Sequence, residues 1–163
     1  MKLLSRLALI SGVFISTLSA SGFFTVNYTQ IDNKFYKNEA QNGAGFGFGA
    51  VYDTMIVSPF VEIDFSGNGS STYRSTATFG IEKNIVDNLN IGLGYGYTHL
   101  VAHSQTQNVG TFVAKAEYLI NKKYILGYKY SQMQNVAPYD NAALYNNDKR
   151  DVDLNTIYIG FKY

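Results

Sequence analysis

The chain has 163 residues, 13 bases against 12 acids, no cysteine and no tryptophan, but 14 tyrosines and 11 phenylalanines. A formal charge of +1 excludes the basic footprint that nucleic-acid binding by bulk charge requires. The lack of cysteine excludes disulfide staples, and no apolar run reaches the roughly 20 residues that a membrane-spanning helix needs.

The amino terminus reads as an export signal. Residues 1–6 hold Lys2 and Arg6 with no acid, residues 7–18 are largely apolar, and Leu18-Ser19-Ala20 places small residues at the expected cleavage point. A charged start, a short apolar run and a small-residue end are the marks of a secretory signal peptide, so residues 1–20 are expected to be removed and 21–163 to form one domain. An apolar stretch of about a dozen residues is too short for an anchor that crosses a bilayer. Cleavage takes away two bases and no acid, which leaves a formal charge of −1. The mean hydropathy of −0.09 is no argument against a membrane, because barrel strands alternate apolar and polar residues and average near zero.

Eight alternating segments follow, each near the 9–11 residues that a tilted strand needs to cross a bilayer. Residues 24–31 set Phe24, Val26 and Tyr28 against Thr25, Asn27 and Thr29; residues 44–52 set Phe46, Phe48 and Tyr52 against Gly45, Gly47 and Gly49. In 57–65, Val61, Ile63 and Phe65 oppose Phe60, Glu62 and Asp64, and in 73–81, Tyr73, Ala77, Phe79 and Ile81 oppose Arg74, Thr76, Thr78 and Gly80. The alternation is cleanest in 89–97, where Leu89, Ile91, Leu93, Tyr95 and Tyr97 face away from Asn90, Gly92, Gly94 and Gly96. Residues 111–119 oppose Phe112 and Tyr118 to Val113, Lys115 and Glu117, and residues 124–132 oppose Leu126, Tyr128 and Tyr130 to Gly127, Lys129 and Ser131. The last segment, 155–163, carries Ile157, Ile159, Phe161 and Tyr163 on one face to the final residue.

The connections alternate in length, as in bacterial barrels with short periplasmic turns and longer outer loops. The expected outer loops are 32–43, 66–72, 98–110 and 133–154; the expected inner turns are 53–56, 82–88 and 120–123. A soluble lipocalin-like barrel has the same strand number, but its alternation should have the opposite sense. With the charged face turned to water, about two dozen bulky side chains would have to fill an interior too narrow for them. The fold expected is therefore an all-β, eight-stranded, antiparallel up-and-down transmembrane barrel.

On these residues the chain resembles the small eight-stranded outer-membrane proteins, of the OmpX type and of the OmpA transmembrane-domain type. The resemblance covers the architecture of the mature chain and its C-terminal strand. It implies that Ile157, Ile159, Phe161 and Tyr163 are read by the barrel-assembly machinery during insertion, although phenylalanine is the commoner last residue in that family. Tyrosines and phenylalanines at the strand ends, such as Tyr52, Tyr118 and Tyr124 below and Tyr28, Tyr73 and Tyr97 above, fit two interfacial girdles.

The inward charges Glu62, Asp64, Arg74, Lys115, Glu117 and Lys129 are balanced in sign. Each must be paired or hydrated in a narrow interior, so they are expected to form a salt-bridge network that plugs the lumen. The glycine runs 45, 47, 49 and 92, 94, 96 leave two strands without inward side chains. They make room for neighbours such as Arg74, Phe60 or Tyr158, open a small cavity, or serve close packing and curvature. Only His99 and His103, beside Ser104, offer a neutral-pH base, and two histidines do not complete a metal site. In the loops, Lys34, Tyr36, Lys37, Tyr139, Lys149 and Arg150 are candidate contacts for lipopolysaccharide or an extracellular ligand. The expectation is a monomeric, non-enzymatic outer-membrane barrel without cofactor, in contact with membrane lipid and lipopolysaccharide, with a structural or surface-interaction role. A lipid A-modifying enzyme and a small-solute pore are the competing readings.

Overall fold

The computed structural model describes residues 20–32, 42–52, 57–68, 72–102, 105–137 and 149–163. They form β1 (Ala20–Asp32), β2 (Asn42–Tyr52), β3 (Ser58–Gly67), β4 (Thr72–Val86), β5 (Leu89–Ala102), β6 (Gln105–Ile120), β7 (Tyr124–Val136) and β8 (Arg150–Lys162). Each strand pairs antiparallel with the next, and β1 pairs with β8, so the sheet closes into an eight-stranded barrel. Closure reaches the last residue, where Gly22 and Tyr163 exchange two backbone hydrogen bonds of 2.9 and 2.8 Å. The Tyr163 ring lies over Gly22, where a Cβ would come within 2.6 Å of it. A closed ladder pairs every strand edge, which removes the need for another staple in a chain without cysteine.

The alternation orients the strands as their sequences require. Val26, Ile91, Leu93, Ile157, Ile159 and other large apolar side chains are exposed on the outer face, while Thr25, Glu62, Lys115, Glu117 and Lys129 are buried inside. Period two is enforced by the pleat, so a strand cannot bury its charges without presenting the intervening apolar residues outward. Phe24, Phe46, Phe65 and Phe48 form a chain of ring contacts 5.2–6.3 Å apart that continues across the β1–β8 seam to Phe161 and Tyr163.

Two expected connections are replaced largely by strand. Residues 82–86, expected in a turn, continue β4, and the connection to β5 is Asp87-Asn88 alone. Asn88 supplies the positive φ of 69° that asparagine tolerates better than most residues, so the reversal is made there and not at the earlier polar residues. The expected outer loop 98–110 is also mostly ladder, because β5 and β6 remain paired as far as Ala102 and Gln105. At the same end, β7 and β8 extend to Val136 and Arg150. Lys123 closes a turn onto Ile120, with positive φ at Asn121 and Lys122, the signature of a type I′ hairpin turn. The ends of the barrel are distinguished below as the turn end, which carries Asn88, Asn121 and Tyr163, and the loop end.

Candidate functional site

The interior is built in layers. Nearest the turn end, Phe23, Val51, Phe60, Ile125 and Tyr158 pack together, with Leu119 against them. Glycines on the facing strands seat these rings. A Cβ at Gly80 would lie 2.5 Å from the Phe60 ring, one at Gly94 3.2 Å from it, and one at Gly49 2.5 Å from the Phe23 ring. Gly127 gives its space to Tyr158. Of the readings of the glycine runs, room for a bulky neighbour describes Phe60 at Gly94, and Phe23 at Gly49, whereas Tyr158 is seated by Gly127, outside both runs. Arg74 takes another course, its Nη2 donating to Thr29 Oγ1 at 3.2 Å.

The charged side chains lie beside and above these rings in two groups. Lys129 Nζ sits 2.7 Å from Glu62 Oε1 and 2.5 Å from Asp64 Oδ2. Lys115 Nζ sits 2.8 Å from Glu82 Oε2 and 3.1 Å from Glu117 Oε1, and Tyr158 Oη donates to that same Glu117 oxygen at 2.8 Å. Lys115 also lies 3.9 Å from the centroid of the Phe60 ring, a cation–π contact that in a desolvated site stabilises by about 2 kcal/mol. The same ring that glycine admits thus helps to hold the buried cation. Gly92 clears the path of the Lys115 stem, its would-be Cβ lying 3.0 Å from Lys115 Cγ.

Glu82 is the member that sequence reasoning missed, because it fell in a segment expected to turn. The signal was present: Glu82 continues the inward phase of Thr78 and Gly80 on β4. Asn90 donates to Glu82 Oε1 at 3.4 Å and Asn84 donates to Asn90 Oδ1 at 2.9 Å, so a polar chain runs from Glu117 to the turn end. There, a cavity of about 800 Å³ is lined by Ser21, Asn84, Asp87, Asn88, Lys122 and Lys162 among others.

Toward the loop end the charges give way to hydroxyls. Thr98 bonds Thr76 at 2.9 Å and Thr111 at 2.5 Å, and Thr29 bonds Thr156 at 2.9 Å. Beyond them the interior becomes apolar, with Leu100, Val109, Met133, Val136, Val152 and Leu154 in one buried cluster and Ile31 packed against it. Here the outer face is polar. His99 bonds Asn108 at 2.7 Å, Tyr95 donates to Gln134 at 3.0 Å, and Tyr130 and Gln132 both donate to Asp153, at 2.6 and 3.2 Å. The alternation thus inverts along single strands. On β8, Tyr158 faces in and Ile157 out, whereas Leu154 faces in and Asp153 out. An apolar face is stable against an apolar medium and a polar face against water, so the inversion marks a boundary between two media around one barrel.

The remaining expected site residues are dispersed. Ile157, Ile159, Phe161 and Tyr163 are all exposed on the outer face of β8 and its end. His99 stands on the outward face of β5, while His103 and Ser104 lie outside the described residues, as do Lys34, Tyr36, Lys37 and Tyr139. Lys149 and Arg150 are exposed at the start of β8. The expected export signal also lies outside the described residues, except for Ala20, which opens β1. Among the described residues, no three His, Cys, Asp or Glu side chains gather as a metal site.

No protein-family model matches the chain, and no curated protein matches it. Solved structures do resemble it in fold. The N-terminal β-barrel domain of Pseudomonas aeruginosa OprF aligns with a TM-score of 0.60 at 11% identity, covering 88% of this chain and 97% of that one. Neisserial surface protein A gives 0.59 at 12% identity, covering 88% and 95%. Ail, the attachment invasion locus protein of Yersinia pestis, gives 0.55 at 13% identity, covering 90% and 100%. At these identities the likeness is one of fold.

Proposed function

We propose that this chain is an integral outer-membrane β-barrel that acts without catalysis, as a structural or surface-interaction protein with a closed lumen. The observation that supports it most is the pairing of an apolar outer belt with buried interior charge. Ile159 is 62% exposed while Lys115, on the opposite face of the same wall, is 3% exposed. Water cannot be the medium around such a belt without a large exposed apolar area, and a hydrocarbon layer can. The inversion of polarity at the hydroxyl layer agrees with a membrane boundary crossed by β5 to β8. The alternating apolar stripe of β8 suits recognition by the barrel-assembly machinery.

The lumen is proposed to be non-conducting, since charged groups paired across it and an apolar cluster at the loop end leave little polar path between the two mouths. Surface interaction is proposed for the loop end, where Lys149 and Arg150 are exposed; Lys34, Tyr36, Lys37 and Tyr139, outside the described residues, are the further candidate contacts for lipopolysaccharide phosphates or an extracellular ligand. Fractionation of expressing cells, with electrophoresis of boiled and unboiled folded protein, tests the location. Recovery in the outer membrane with heat-modifiable migration is expected. A soluble periplasmic protein whose migration is unchanged by boiling would refute the membrane reading.

A further inference from the structure

One row of the outer wall passes from apolar to polar residues. Paired positions run from Val26 through Phe46, Phe65, Ser75 and His99 to Asn108, all on the outward faces of their strands. Barrel strands are tilted, so a row perpendicular to them climbs along the barrel axis. This one starts in the apolar belt and ends in the polar band of the loop end. A groove of about 460 Å³ lies across the climb, lined by residues of β2 to β5, and small-ligand sites span roughly 300–1,000 Å³. Its floor has small side chains where the rest of the belt carries large ones. Ala44 and Gly67 pair with each other in the neighbouring row, and Ser75 stands between Phe65 and His99. The Phe46 and Phe65 rings, 5.2 Å apart, form one wall, and Tyr73 forms the other.

His99 closes the upper end. Its Nδ1 is held at 2.7 Å by Asn108 Oδ1 on β6, on the side away from the groove. An amide oxygen only accepts, so Nδ1 carries the proton and Nε2 of the neutral ring is an acceptor, left for the molecule that fills the groove. That molecule must therefore carry hydrocarbon for Phe46 and Phe65 and a hydrogen-bond donor for His99. The groove is continuous with the lipid-facing belt and lies toward the loop end, which the outer-membrane reading above places in the outer leaflet. Acyl chains of lipopolysaccharide bear hydroxyl and amide donors close to the sugar, whereas the acyl esters of a phospholipid offer only acceptors at that depth. We propose that the groove holds one acyl chain of the lipid A part of lipopolysaccharide, laid along the Phe46 and Phe65 rings, with a hydroxyl or amide group donating to His99 Nε2. The proposal rests on the outer-membrane reading and names the residues through which the barrel selects its lipid, binding it without cleaving it.

Native mass spectrometry of the detergent-folded barrel, offered purified lipid A and phosphatidylglycerol in equal amounts, tests it. The native protein should retain one lipid A of unaltered mass in preference to the phospholipid by about tenfold, or ~1.4 kcal/mol, the order of one net hydrogen bond. Ser75→Phe and Ala44→Leu, which fill the floor from two strands, should each lose that retention. His99→Phe, which keeps a ring and removes the acceptor, should still hold lipid but without preference. Leu93→Phe, on the same wall toward the turn end, should behave as the native protein; heat-modifiable migration shows that each variant is folded. Equal retention of the two lipids by the native protein would overturn the proposal, as would lipid A binding that survives both floor variants or is lost in Leu93→Phe. A barrel recovered in the outer membrane that retains no lipid A would refute this site alone, whereas a soluble periplasmic protein would refute the membrane reading with it.

Discussion

Replacing Lys129 with methionine removes the one cation within ion-pair distance of Glu62 and Asp64 among the described residues. The acids are 3% and 8% exposed and the lysine 5%, so bulk water does not stand ready to replace the amine. Breaking a buried ion pair from one side costs about 3–5 kcal/mol. Two carboxylates on one face of β3 are stranded here at once, which places the expected loss at the upper end, about 5 kcal/mol. At ~1.4 kcal/mol per decade, that is between three and four decades in the folding constant. The triple variant Glu62→Gln, Asp64→Asn, Lys129→Met removes every charge in the group and should return to within about 1 kcal/mol of the native protein. Equilibrium urea unfolding in lipid vesicles, followed by far-ultraviolet circular dichroism and heat-modifiable migration, measures both. A single variant within about 1 kcal/mol of the native protein would refute a low-dielectric interior. A triple variant as damaged as the single one would show that the loss comes from packing of the lysine stem and not from its charge.

Gly80→Ala should cost about 1–3 kcal/mol or more, because its methyl group would meet the Leu93 carbonyl at 2.4 Å and the Phe60 ring at 2.5 Å, and pairing it with Phe60→Leu should recover the ring's share but not the carbonyl's in a double-mutant cycle; strict additivity would deny that Gly80 seats the ring. Tyr158→Phe should destabilise by about 1–3 kcal/mol in the same unfolding assay, because Glu117 loses a buried donor, and an unchanged midpoint would mean that the Tyr158 hydroxyl does not serve Glu117. In planar bilayers the native protein should show no large unitary conductance, while Leu100→Ser with Leu154→Ser, which places hydroxyls in the apolar cluster of the loop end, should raise it; large steps from the native protein would refute the closed lumen. Lipid A mass should be the same in cells expressing the native protein and His99→Ala, and a mass change that depends on His99 would restore the enzyme reading.

The sequence by itself determined the strand number, the order of the strands and which face of each turns inward, because period-two alternation is a local property of the pleat and survives without knowledge of neighbours. Glu62, Asp64, Lys115, Glu117 and Lys129 were legible as interior residues for that reason, and Phe60 and Tyr158 as candidate rings for the space that glycines leave. Tertiary structure alone decided the partners. Lys129 on β7 meets Glu62 and Asp64 on β3 across the lumen, and no spacing along the chain encodes a distance across a barrel. It also decided where the strands stop. Residues 98–102 and 133–136 were expected in loops because their outward residues are polar, but polarity marks a loop only while the surroundings are assumed uniform. Once the barrel passes from an apolar medium into a polar one, the same strand keeps its ladder and exchanges the character of its two faces, which is why Leu100 and Met133 are buried where Thr98 and Lys129 lead the eye to expect polar residues.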